Sequence, residues 1–118
     1  MSNPDPLPAP ADPAPVFAAL GDRTRLILLS RLSDGKRRSI SALAADSRMT
    51  RQAVTKHLKV LEQAGLVTSS RSGRESRYSF DPKPIAGLKA YLDQVSLQWD
   101  GALARLQAFV EDEGSGSA

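Results

Sequence analysis

The sequence has no cysteine. Disulfides, thiol redox sensing and thiolate metal ligands are therefore excluded. Its one histidine is His57. Borderline and soft metals need imidazole or thiolate partners for a tight tetrahedral site, and carboxylates alone do not supply one. No apolar run approaches the ~20 residues that span a bilayer. The N-terminus has no basic n-region and no apolar h-region, so no signal peptide is expected. The expected location is cytoplasmic, with no membrane partner. No Gly-rich phosphate loop and no Ser–His or His–carboxylate motif is present, so neither an enzyme nor a cofactor is expected.

Charge is unevenly placed. The net value is only +3, yet residues 21–80 hold 13 Lys/Arg against 5 Asp/Glu. Residues 1–20 and 81–118 are net acidic. A basic centre with acidic ends suggests a polyanion-binding module, although a solvated basic surface gives the same count. At 118 residues the chain is expected to be one small domain, or one domain with tails. A domain of this size gains stability from dimerisation.

Residues 1–15 contain six prolines among small and polar residues and are expected to be a disordered arm. Residues 112–118, DEGSGSA, are expected to be a disordered tail. Order is expected to begin near Val16. VFAALGD reads as a short helix ending at Gly21, and Asp22 can cap a second helix, RTRLILLSRL. Leu26, Ile27, Leu28, Leu29 and Leu32 cover most of that helix and place it centrally in the core. SDGKRR reads as a loop. Ile40 to Asp46 reads as a short helix capped by Ser39 or Ser41, and SRM as a tight turn. Thr50 caps the next helix and Gly65 ends it. LVTSSR and SRYSF are strand-like around a turn glycine, predicting a hairpin over 67–80. Pro82 and Pro84 open a last helix.

That last helix repeats apolar residues in heptads: Leu88, Leu92, Val95, Trp99, Ala102, Leu106 and Phe109. The pattern suits a helix packed on its own domain or a subunit interface. The seam is long for one small body to cover, which favours the interface. Tyr91, Trp99 and Phe109 also suit a small-molecule pocket, but their heptad spacing favours a packed core.

The stretch TRQAVTKHLKVLEQAG, residues 50–65, has two faces. Val54, Leu58 and Leu61 recur at helical spacing. Arg51, Gln52, Thr55, Lys56 and Lys59 lie on the other side, which has no acid before Glu62. Helix, tight turn, helix and basic hairpin is the order of a winged helix-turn-helix. The predicted fold is mainly α, with about five helices and a small β-hairpin wing: a core over 16–83 and a dimerisation helix over 84–111. A helix of this kind fits the major groove with its first turns against base edges. Gln52 can pair adenine through its amide, Arg51 can contact guanine or phosphate, and Thr55 offers a hydroxyl and a methyl. Lys56 joins the candidate base readers, although it and Lys59 suit phosphates better. Thr50, His57 and the hairpin residues Arg71, Arg74 and Arg77 complete the candidate phosphate and wing contacts. The competing reading for each residue is an ordinary solvated side chain. For His57 it is a packed residue.

Three segments together resemble the ArsR/SmtB family of bacterial winged-helix transcription regulators: VFAALGDRTRLILLSRL at 16–32, SISALAADSRMTRQAVTKHLKVLEQAGLV at 39–67 and SSRSGRESRYSFDP at 69–82. Arg23 departs from the proline that the family often has after GD. The resemblance implies a homodimer built on the first and last helices, so Val16 and Phe17 join the heptad residues as the expected interface. It implies a recognition helix at about 50–63 in successive major grooves of a near-palindrome, and a usual role as repressor. Family metal sites use a cysteine pair before the recognition helix, where this chain has SISALAA. Others use Asp/His and His/Glu ligands in the last helix, where this chain has only Asp93 and Asp100. The expectation is a dimeric, DNA-binding repressor of double-stranded operators without a metal site, open to an unidentified small-molecule effector. The alternative is a winged-helix module that binds protein. It would require an apolar outer face on 50–63, which the sequence lacks.

Overall fold

A computed structural model describes residues 12–116 of the chain. The expected disorder of residues 1–11 and of 117–118 lies outside the described residues. The elements run α1 (Ala14–Leu20), α2 (Arg23–Leu32), β1 (Arg38–Ser39), α3 (Ile40–Ser47), α4 (Arg51–Gln63), β2 (Val67–Ser72), β3 (Glu75–Phe80) and α5 (Lys83–Gly116). The five helices and a three-stranded antiparallel sheet, in order β1-β3-β2, form a winged helix-turn-helix.

Polar caps set the helix starts. The Asp22 carboxylate accepts from the Arg25 N–H, the Ser39 hydroxyl from Ala42 and the Thr50 hydroxyl from Ala53. Each satisfies one of the backbone donors that a helix leaves open at its N-terminus. Ser39, not Ser41, therefore caps α3. The end of α4 is a Schellman turn. Leu66 N–H donates to Leu61 and Gly65 N–H to Glu62, both at 2.9 Å, with Gly65 at φ 78°.

The chain divides at Gly87/Leu88 into two compact units. The first holds the core. Leu28, Leu32, Leu43, Val54, Leu58, Leu61 and Leu66 are fully buried there, joined by Val67 and Tyr78 from the sheet. Burying a leucine contributes roughly 1.5–3 kcal/mol, so Val54, Leu58 and Leu61 alone fix how α4 is rotated. The second unit is the greater part of α5.

The structure differs from expectation in three places. SDGKRR is not all loop: Arg38 and Ser39 pair with Tyr78 and Arg77, which turns the hairpin into a three-stranded sheet. Leu26 and Ile27 are not in the core. They are 49 % and 43 % exposed, because the other side of α2 takes the core positions through Leu28, Leu29 and Leu32. α1 begins at Ala14, and α5 continues to Gly116, into the stretch expected to be a tail.

Candidate nucleic-acid interface

With its apolar face held in the core, α4 presents Arg51, Gln52, Lys56 and Lys59 to solvent. Thr55 is half-buried, and its hydroxyl donates to the Arg51 carbonyl at 2.7 Å. Its methyl and an oxygen lone pair remain for a ligand. Among the described residues, no ion pair neutralises Arg51, Lys56 or Lys59. The one acid of the helix, Glu62, accepts from the Ser69 hydroxyl at 2.8 Å and so faces β2. The outer face is basic and polar because its acid is committed elsewhere.

The inner edge of α4 is anchored through His57. Its Nδ1 lies 3.4 Å from an Arg25 guanidinium nitrogen and 4.0 Å from an Asp22 carboxylate oxygen. Arg25 also donates to the carbonyls of Ala19 (2.6 Å) and Ala18 (3.1 Å) in the last turn of α1, the latter shared with the Gly21 N–H. One guanidinium thus joins α1, α2 and α4. The backbone N–H of Arg25 holds the Asp22 carboxyl below the usual carboxylate range, and the Arg25 and His57 charges act in the same direction. His57 is a half-buried junction residue, with one ring nitrogen turned away from the outer face.

In the wing, β2 and β3 pair from Val67↔Phe80 to Ser72↔Glu75, leaving Gly73 and Arg74 as a two-residue turn. Gly73 has φ 64°, which suits glycine at the first central position. Register separates the three wing arginines. Arg71 shares a face with Ser76 and Tyr78, whereas Arg77 lies on the opposite face, beside Ser70 and Ser39. Arg74 sits at the tip. Arg77 binds Glu75 at 3.3 Å. Arg74 and Arg51 converge on one open bowl of about 160 Å³, lined also by Ser39, Ser41, Glu75 and Ser76. α4 and the wing therefore share a recess of mixed character, lined by Arg51, Arg74, Glu75, the serines and Ile40. Sequence reasoning missed the serines of this recess, because only the β1–β3 pairing brings residues 39–41 to the wing.

The heptad residues of α5 divide by exposure. Leu88 is buried at 6 % exposure, and Val95 and Ala102 are half-buried. Leu92 (50 %), Trp99 (63 %), Leu106 (58 %) and Phe109 (61 %) are open, as are Leu103 and Val110. In α1, Val16 packs against the core of its own unit, whereas Phe17 is partly exposed. Among the described residues, no cluster of three or more His, Asp or Glu side chains is placed to hold a metal ion. No described helix is long and apolar enough to cross a membrane.

Comparison with known proteins agrees with this geometry. A helix-turn-helix domain family matches residues 20–70. An HTH-type transcriptional regulator of Mycobacterium tuberculosis is 35 % identical over 102 residues, covering 86 % of this chain and 92 % of the relative. Among solved structures, an ArsR-like transcriptional regulator from Rhodococcus sp. RHA1 is 38 % identical with TM-score 0.75, over 84 % of this chain and 90 % of that one. A homodimeric winged helix-turn-helix DNA-binding domain from Mycobacterium bovis, described as a possible ArsR-family transcriptional regulator, is 30 % identical with TM-score 0.58, over 70 % and 76 %. On the strength of this fold, this basic helix-and-wing surface and these relatives, the chain belongs to the ArsR family of winged helix-turn-helix transcription regulators.

Proposed function

We propose that the chain works as a homodimeric repressor that binds a near-palindromic operator without a cysteine- or histidine-based metal site. The observation that carries this reading is the outer face of α4, exposed, basic and cleared of acid, with the Arg74 wing tip converging on its first residue. Arg51, Gln52, Thr55 and Lys56 read base edges from the first turns of the helix. Thr50, Lys59, Arg71, Arg74 and Arg77 hold phosphates, and the Thr50 hydroxyl can donate to one while its oxygen caps α4. His57 serves chiefly as the anchor between α4 and the Arg25 junction. The open leucine and aromatic stripe of α5 supplies the surface that a second copy covers, and the Mycobacterium bovis relative is itself homodimeric. Two recognition helices then sit about one helical turn apart on DNA. Repression follows from occupancy, and a small-molecule effector acts by changing the angle between subunits.

The absence of cysteine and the single, junction-bound histidine support control without the known metal arrangements. The protein-binding alternative has no apolar patch on the outer face of α4 in its favour. The test is protection of DNA upstream of the protein's own coding region. Two protected half-sites about one turn apart, with transcription falling as protein is added, support the reading. Protection of a single half-site, or activation, contradicts it.

A further inference from the structure

Four described residues have positive φ. Three are glycines: Gly35, Gly65 and Gly73. The fourth is Arg48, at φ 56° and ψ 33°, in the left-handed region. It closes α3 much as Gly65 closes α4. The Arg48 N–H donates to the Ala44 carbonyl, and Met49 N–H donates to the same carbonyl at 3.2 Å. A side chain with a Cβ is disfavoured in this conformation, and glycine is the residue that relieves it. The chain thus uses arginine where its own other tight turns use glycine.

Nothing within the fold accounts for that choice. Arg48 is exposed, and its guanidinium makes no hydrogen bond or ion pair among the described residues. The nearest acid in sequence, Asp46, is taken by Arg31 at 3.5 Å. What the position does have is location. Arg48 lies two residues before Thr50, the cap of α4, in the turn that leads into the helix proposed to enter the groove. The turn before a helix that enters a groove lies beside the DNA backbone, where a long cation can reach a phosphate.

We propose that Arg48 is a further phosphate-binding residue, holding the DNA backbone beside the N-terminus of the recognition helix at the cost of a strained turn. The inference rests on the DNA-binding reading of α4 and adds one phosphate contact per subunit. Such a contact carries affinity and salt dependence but no sequence preference.

The test uses the full chain, its R48G and R48K variants, and a 30-base-pair duplex of random sequence, titrated by anisotropy from low to moderate salt. R48G is expected to melt about 2–6 °C higher, the relief of strain outweighing the added freedom of the unfolded chain. It is expected to bind roughly tenfold more weakly at low salt. Its plot of log affinity against log salt should be shallower by about 2 per dimer, one phosphate from each subunit. R48K keeps the cation and is expected to keep the wild-type slope. If R48G binds with wild-type affinity and slope, Arg48 touches no phosphate and the inference is overturned. If R48G melts lower than wild type, the strain account is overturned. A wild-type chain that binds no duplex even at low salt overturns the DNA reading itself, and this inference with it.

Discussion

Replacing Trp99 by alanine isolates the seam of α5. The indole is 63 % exposed in the single chain. A tryptophan presents up to about 250 Å², so roughly 150 Å² of it faces solvent. If a second copy covers half of that, about 75 Å² leaves water per subunit. At ~25 cal/mol per Å² this contributes about 2 kcal/mol per subunit and ~4 kcal/mol per symmetric dimer. Each 1.4 kcal/mol is a factor of ten in affinity, so the W99A dimer should dissociate at concentrations about a thousandfold higher. Sedimentation equilibrium from nanomolar to micromolar protein reads this directly. The helical circular dichroism signal should be unchanged at concentrations where W99A is still dimeric. Leu88→Ala is the contrast, since Leu88 is already buried in the single chain and its loss should lower the melting temperature instead. An unchanged dimer constant for W99A would refute the argument, because the exposed stripe would then have some other occupant.

The division of labour on α4 gives a second prediction. Gln52→Ala should bring specific and random duplexes closer in affinity by roughly 1–3 kcal/mol, whereas Lys59→Ala should weaken both alike and reduce the salt slope; competition titrations distinguish them. If both variants weaken specific and random DNA equally, Gln52 is not a base reader. A third prediction concerns pH. The folded-state pKa of Asp22 is lowered, so its ionised form adds stability above the unfolded value near 3.8, and this is lost as pH falls through the lower folded value. Asp22→Asn keeps an acceptor for the cap but no charge. The gap between wild-type and variant melting temperatures should therefore be present at pH 6, begin to narrow below pH of about 4 and close as pH falls through the lower folded value. Parallel curves would show that the Asp22 charge contributes nothing.

Local chemistry was the most legible part of the fold. Asp22 and Thr50 were readable as caps, and the cap of α3 as Ser39 or Ser41, because a short polar side chain before an apolar periodic run has few other uses. Val54, Leu58 and Leu61 marked the buried face of α4 by spacing alone, and that same spacing exposed the basic face opposite. What escaped depends on partners distant in sequence. β1 is two residues long and becomes a strand only by pairing with Arg77 and Tyr78. Its polar sequence carries no alternation to announce it. Leu26 and Ile27 sit on a helix that is apolar nearly all round, so composition could not say which side lies outward. The wing arginines read as one group until the register of β2 and β3 separated Arg71 from Arg77. The recess shared by Arg51 and Arg74 likewise required the sheet to exist before it could be seen.

The most direct measurement of the central claim is fluorescence anisotropy of the purified protein on the duplex upstream of its own coding region. It should be set against a scrambled duplex, across a salt series, with and without Zn²⁺. The account predicts tight binding to the first duplex, weaker by 10³ or more on the second. It also predicts a steep fall with salt and no response to zinc. Equal, weak binding to both duplexes would contradict sequence-specific recognition at this site. A large zinc-dependent change would contradict metal-independent control. No binding even at low salt would contradict the assignment of α4 and the wing to DNA.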